Sequence, residues 1–144
     1  MAAGSKTDFT ATETWAYDID PGREFYPDGR FHLRDSVGVF IWEADDDRLD
    51  GANIVVVNWN FVWMPESVFV SGPIWGSFFL SNDGGSWEGS WTGVRDENGF
   101  SYFHYVGHGR GGYEGLQLRA WGERLTPDGA APEDFHGTIL ETGG

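Results

Sequence analysis

Tyr102 and His104 are the residues whose types and spacing best fit acid–base chemistry. In the predicted strand Phe100–Gly107, alternation puts both side chains on one face, two residues apart. Histidine exchanges protons near neutral pH, and a tyrosine hydroxyl stabilises a developing oxyanion. We expect both to reach one ligand as catalytic residues. The alternative is a solvated face of stacked polar rings.

Glu43 is the third catalytic candidate, because it ends the apolar run Val37–Trp42. A carboxyl group buried there could act as an acid or a base. More often, a glutamate in this position marks the point where a strand reaches water. Asn58 lies within an apolar strand, and a buried amide needs hydrogen-bond partners. It therefore either orients a ligand carbonyl or satisfies an interior network.

Aromatic residues supply the predicted ligand-binding wall. Eight tryptophans exceed what a core of this size usually needs, and large rings suit the walls of small-molecule cavities. The ligand-binding candidates besides Asn58 are Trp59, Phe61, Trp75, Phe79 and Trp91. The alternative is that the rings fill the interior. Alternation leaves open which face of each strand points inward.

No metal and no cofactor are expected. The sequence has no nucleophile elbow and no phosphate-binding glycine loop before a helix. His104 and His108 lie about 13 Å apart on a strand, too far to share one metal ion. The acidic residues Asp45, Asp46, Asp47 and Asp50 lack the pattern of a calcium loop, so we interpret them as a solvated loop.

Charge and length limit the class of protein. Nine basic against 23 acidic residues give a net charge of −14, which disfavours nucleic acid and membrane partners. The 144 residues fit one domain, with residues 1–8 and 142–144 as flexible tails. The absence of cysteine and of a signal-peptide layout favours the cytoplasm, although a removed leader would leave no trace. The expected partner is a hydrophobic small molecule, and a homo-oligomer is left open.

The chain is predicted to be all-β, because strand patterns recur between turn residues and no segment has helical spacing. The tight turns Asn82–Gly85 and Asp96–Gly99 favour hairpins, whereas 18–28 is predicted to be a loop. Eight strands joined by short turns indicate an antiparallel up-and-down barrel of calycin-like type, with a sandwich as the alternative. The predicted strands are Thr10–Tyr17, Phe31–Glu43, Asn53–Trp63, Val70–Ser81, Ser86–Arg95, Phe100–Gly107, Tyr113–Leu125 and Phe135–Glu141.

The segment Val106–Gly122, VGHGRGGYEGLQLRAWG, resembles the late hairpin of the allene oxide cyclase-like barrels. These include plant allene oxide cyclases, dirigent proteins and bacterial polyketide cyclases. The resemblance implies the barrel fold and a small hydrophobic or polyene substrate. The matching positions are Gly109, Gly111, Tyr113, Gly115 and Gly122.

The leading functional hypothesis is a cofactor-independent cyclase or isomerase. It would confine a flexible apolar substrate within aromatic walls and so restrict its conformers. A non-catalytic carrier of a hydrophobic small molecule needs the same cavity without converging polar groups. A structural or interaction protein would have a barrel plugged by its own rings.

Overall fold

The computed structural model describes residues 5–63, 70–126 and 131–141. Strands make up 77% of the described residues, which confirms the all-β prediction. Two single 3-10 turns, Pro27–Gly29 and Asp47–Leu49, are the other regular elements of the described residues. The strands in these residues are β1 (Lys6–Asp20), β2 (Arg23–Phe25), β3 (Phe31–Ala44), β4 (Gly51–Trp63), β5 (Val70–Asn82), β6 (Gly85–Arg95), β7 (Ser101–Gly111), β8 (Leu116–Arg124) and β9 (Glu133–Glu141).

The strands form one antiparallel up-and-down sheet whose hydrogen bonding runs in a ring. Each strand from β3 to β9 pairs with the next, and β1 pairs with both β9 and β3. Eight strands make the ring. The ninth, β2, pairs with β3 beyond the end of β1 and lies in the stretch predicted to be a loop.

The two predicted hairpin turns are confirmed. The side chain of Asn82 accepts from the backbone N–H of Gly84 at 2.9 Å, and β5 pairs with β6 directly across this turn. Asp96 accepts from the backbone N–H of Asn98 at 2.9 Å and of Phe100 at 3.0 Å. These Asx contacts replace backbone partners inside each turn and fix the register of the strands.

The ends of the chain differ in how far they are described. Strand β1 begins at Lys6, inside the stretch expected to be a tail, because its backbone pairs with β9 as far as Leu140. Residues 142–144, the other expected tail, lie outside the described residues. None of the described residues belongs to a helix long and apolar enough to cross a membrane.

Side chains fill one end of the ring, which we call the closed end. Trp87 stacks on Tyr113 with ring centres 5.2 Å apart, and its indole N–H donates to the carbonyl of Arg48 at 2.8 Å. The 3-10 turn after β3 inserts a leucine beneath these rings. The fully buried side chains at this end are Leu49, Leu80, Trp87 and Leu118.

The other half of the ring encloses a cavity of about 420 Å³. Its lining comes from the middle and later residues of β1, β4, β6 and β8 and from the earlier residues of β3, β5, β7 and β9. Because neighbouring strands are antiparallel, these positions meet at the same end of the ring. The interior is therefore packed at one end and hollow at the other.

Candidate functional site

The cavity wall combines aromatic rings with a few charged groups. Its volume falls in the range of roughly 300–1,000 Å³ that is typical of small-molecule sites. Trp59 packs against Phe61 with ring centres 4.9 Å apart, and Trp91 lies 5.8 Å from Phe103. The aromatic residues of the wall are Phe31, Phe40, Trp59, Phe61, Trp91, Phe103 and Tyr105.

Polar residues face the cavity in one row across five neighbouring strands. We call Arg95, Ser101, Arg124, Glu133 and Glu13 the polar row. Ser101 lies opposite Arg95 in one direction and opposite Arg124 in the other, and Glu13 lies opposite Glu133. Directly opposite side chains on one face are about 5 Å apart at their Cβ atoms. The row therefore gathers two guanidinium and two carboxyl groups in one wall.

Glu13 is a buried carboxylate surrounded by donors. The indole N–H of Trp42 donates to Glu13 Oε2, and the amide of Asn53 donates to the same oxygen at 3.0 Å. The hydroxyl of Tyr105 lies 3.4 Å from it. Burial and the charge of Glu13 raise the pKa of Tyr105 well above its usual value, so this hydroxyl stays protonated as a donor. Three hydrogen-bond donors therefore converge on the carboxyl group of Glu13.

Glu133 is a second buried carboxyl group, and it is hydrogen-bonded to Glu13. Burial, the charge of Glu13 and a hydrogen bond between the two carboxyl groups raise the pKa of Glu133 well above its usual range. Arg124, which donates to Glu133 Oε1 at 3.0 Å, opposes the shift without cancelling it. A proton on Glu133 satisfies both groups, because the neutral acid donates to the neighbouring carboxylate. The pair thus places two hydrogen-bonded carboxyl groups side by side, one of which can act as an acid and the other as a base.

Half of the predicted ligand-binding residues line the cavity. Trp59, Phe61 and Trp91 do so, and the indole Nε1 of Trp59 is buried without a hydrogen-bond partner among the described residues. Trp75 and Phe79 project from the outer face of β5. Trp75 stacks there under the guanidinium of Arg34, 5.0 Å from the ring centre.

Asn58 is nearly buried, and its side chain makes hydrogen bonds to backbone groups. Its side chain accepts from the N–H of Asp35 at 3.0 Å and donates to the carbonyl of Trp75 at 3.2 Å. Asp35 has a positive φ of 57° within an irregularity in the β3–β4 pairing. Asn58 holds this irregularity in place. A ligand contact for Asn58, Trp75 or Phe79 stays a prediction.

The predicted catalytic residues gather on the outer face rather than in the cavity. Alternation in β7 points Ser101, Phe103 and Tyr105 inward, so Tyr102 and His104 point outward. Tyr102 and Glu43 both line an outer groove of about 630 Å³ that crosses β1, β9 and β8. His104 stacks on Trp121 of the same groove with ring centres 5.0 Å apart. The three residues are thus brought to one region, and their catalytic role stays a prediction.

Two aspartates of the acidic segment before β4 accept hydrogen bonds from backbone N–H groups. Asp45 accepts from the N–H of Thr10 at 2.9 Å, and Asp50 accepts from the N–H of Ala44 at 2.7 Å. Asp46 pairs with Arg48 at 2.7 Å, and this partner holds the pKa of Asp46 below its usual value. Among the described residues, no group of three or more His, Asp or Glu side chains is placed to hold a metal ion.

Sequence analysis missed Glu13 and Glu133, although their positions carry a pattern that could have revealed them. Glu13 alternates in phase with the apolar residues Phe9 and Ala11, and Glu133 alternates in phase with Phe135 and Ile139. A carboxylate on the apolar face of a strand is a candidate for burial.

No protein-family model, curated protein or solved structure matches this chain at a significant level.

Proposed function

We propose that the chain is a cofactor-independent isomerase or cyclase that moves a proton on a small apolar substrate inside the ring of strands. The observation that carries the proposal is the hydrogen-bonded pair of Glu13 and Glu133 in the wall of the cavity. Enzymes that run acid and base steps at one pH commonly use two groups whose surroundings drive their pKa values apart. The aromatic wall supports an apolar substrate, since it offers large rings and few polar contacts.

The proposed step transfers two protons and leaves the atoms of the substrate unchanged in number. Ionised Glu13 removes a proton from a substrate carbon, and neutral Glu133 donates its proton to another substrate atom. The product is an isomer of the substrate. A cyclisation keeps the same balance when the carbon that loses its proton bonds to one atom of a double bond in the same substrate and Glu133 protonates the other atom of that double bond. The proton now on Glu13 passes across the hydrogen bond to Glu133 and restores the starting state.

The same proposal includes the finer architecture, a closed eight-stranded barrel of calycin-like or allene oxide cyclase-like type. Pairing of β1 with both β3 and β9 supports closure, because it leaves no free edge in the ring. The glycine-rich turn before Tyr113 supports the resemblance, since β7 and β8 form the late hairpin there.

Solvent proton exchange tests the proposal without knowledge of the natural substrate. A panel of apolar ketones, beginning with 4-phenylbutan-2-one, is incubated with the protein in D₂O. Deuterium uptake next to the carbonyl is followed by NMR. We expect wild type to exchange at least one compound about 100-fold faster than Glu13→Gln or Glu133→Gln, the usual scale of acid–base catalysis. Glu114→Gln is the matched control, because Glu114 is exposed in the turn after β7 and lines neither the cavity nor the outer groove.

Two outcomes favour other interpretations. Loss of exchange in Tyr102→Phe and His104→Ala, with exchange kept in Glu13→Gln, would move catalysis to the outer groove. Saturable ketone binding with no exchange above the Glu13→Gln rate would favour the carrier.

A further inference from the structure

We infer that the ligand of the cavity is an apolar carboxylate whose anionic group binds between Arg95 and Arg124, above Ser101. This rests on the proposed function of the same cavity and adds the chemical class of the substrate. It is argued from where the two guanidinium groups lie and from what surrounds them.

Two arginines face the interior on opposite sides of one small residue. Ser101 is buried and lies directly across from Arg95 on β6 and from Arg124 on β8. Because the side chain of Ser101 is short, a gap about two strand spacings wide lies above it, between Arg95 and Arg124. Guanidinium groups offer planar, paired donors that match a carboxylate.

Arg124 has an unused hydrogen-bond donor. Its Nη1 donates to Glu133 at 3.0 Å, while its buried Nε has no hydrogen-bond partner among the described residues. The side chain is 12% exposed, so water satisfies little of this demand. An unmet donor on a buried cation is costly unless a ligand fills the place.

The charges of the row also favour an added anion. Burial and the positive charge of Arg124 lower the pKa of Arg95, and the charge of Asp96 opposes this shift. Glu133 contributes no full negative charge while it holds its proton. Asp18 also lines the cavity, but it is exposed and accepts from the indole of Trp15 at 2.9 Å. A carboxylate between the arginines would relieve their repulsion.

The order of the row places the anion away from Glu13. Ser101 on β7 and Glu13 on β1 are separated by three strand spacings of about 4.8 Å each. The substrate therefore reaches the acid–base pair with a carbon several bonds from its carboxylate. The apolar part between them lies against Trp91 and Phe103.

Calorimetric titration with 2-naphthoate and 2-naphthamide tests the inference. The two compounds share the ring system and differ in charge. We expect wild type to bind naphthoate about tenfold more tightly than naphthamide or better. Arg95→Gln should reduce that preference to less than about threefold, with naphthamide binding unchanged. Arg119→Gln, exposed on the outer face of β8, should keep the full preference.

Equal binding of the two compounds by wild type contradicts the anion site and leaves the cavity and its carboxyl pair standing. An unchanged preference in folded Arg95→Gln also contradicts it. Absence of binding by either compound contradicts both this inference and the proposed function. The comparison in wild type needs no variant, so a failure of Arg95→Gln to fold does not remove the test.

Discussion

Glu133 shows how one residue acquires chemistry from its surroundings. A glutamate in water is ionised at neutral pH, but this one lies at 8% side-chain exposure beside a second carboxyl group. Ionising it would put two negative charges in contact with little water to screen them. Arg124 compensates for part of that penalty. The remaining penalty raises the pKa of Glu133, so this group holds its proton to a higher pH than an ordinary glutamate, as a general acid must.

The raised pKa of Glu133 predicts how stability depends on pH. The folded state favours the protonated form, so the contribution of Glu133 is fully present below its unfolded pKa of about 4.5 and is lost as pH rises through the raised folded value. Glu133→Gln mimics the neutral acid and does not titrate. We expect the stability of Glu133→Gln relative to wild type to rise above pH 4.5, by up to about 1.4 kcal/mol per pH unit.

Urea unfolding of wild type and variant between pH 4 and pH 8 measures this difference. Glu123→Gln serves as the control, because it makes the same substitution at an exposed position. A constant difference between wild type and Glu133→Gln across the range would mean that Glu133 titrates normally in the folded protein.

At the scale of the strands, local sequence patterns predict which segments form strands and turns. They do not predict which distant strands pair to close the ring. The turns at Asn82 and Asp96 carry their own hydrogen-bonding side chains, so both hairpins could be predicted from the sequence. Closure depends on β1 pairing with β3, and no local pattern contains that contact. The short strand β2 forms only because β3 extends past the end of β1.

The same limit explains why the sequence does not identify the residues that line the cavity. Alternation divides Ser101 and Tyr105 from Tyr102 and His104 correctly, but it does not say which set faces inward. That choice is made by the whole sheet, which turns toward the interior the face that buries more apolar area. The catalytic candidates Tyr102 and His104 belong to the outward set.

Glycines of the β7–β8 turn give a prediction at this scale. A Cβ on Gly109 would approach the backbone oxygen of Tyr113 to 2.0 Å, whereas one on Gly115 would meet nothing within 4 Å. Gly115 instead has a φ of +89°, which side chains disfavour. We expect Gly115→Ala to lower the free energy of unfolding by about 1 kcal/mol and Gly109→Ala by clearly more.

Urea unfolding again measures the change, with Ser90→Ala on the exposed face of β6 as the control. Wild-type stability in Gly109→Ala would show that the hairpin is looser than its contacts indicate.

The interior of the molecule has a packed half and a hollow half. The closed end packs Trp87, Leu80 and Leu118 without exposure, and this half can hold the ring together. The other half leaves about 420 Å³ open and lines it with the polar row. The surface carries most of a net charge of −14, yet the cavity presents two arginines. This arrangement fits the proposed site for an apolar ligand, with the polar contacts on one wall.

The central claim is that this cavity, and not the outer groove, receives the ligand beside Glu13 and Glu133. Crystals of the protein grown with 4-(4-bromophenyl)butan-2-one locate the bromine directly by anomalous diffraction. We predict one bromine peak enclosed by Trp59, Trp91 and Phe103, with the ketone directed toward the carboxyl pair. A peak only in the outer groove beside Trp121, or no peak at a saturating ligand concentration, would contradict the account.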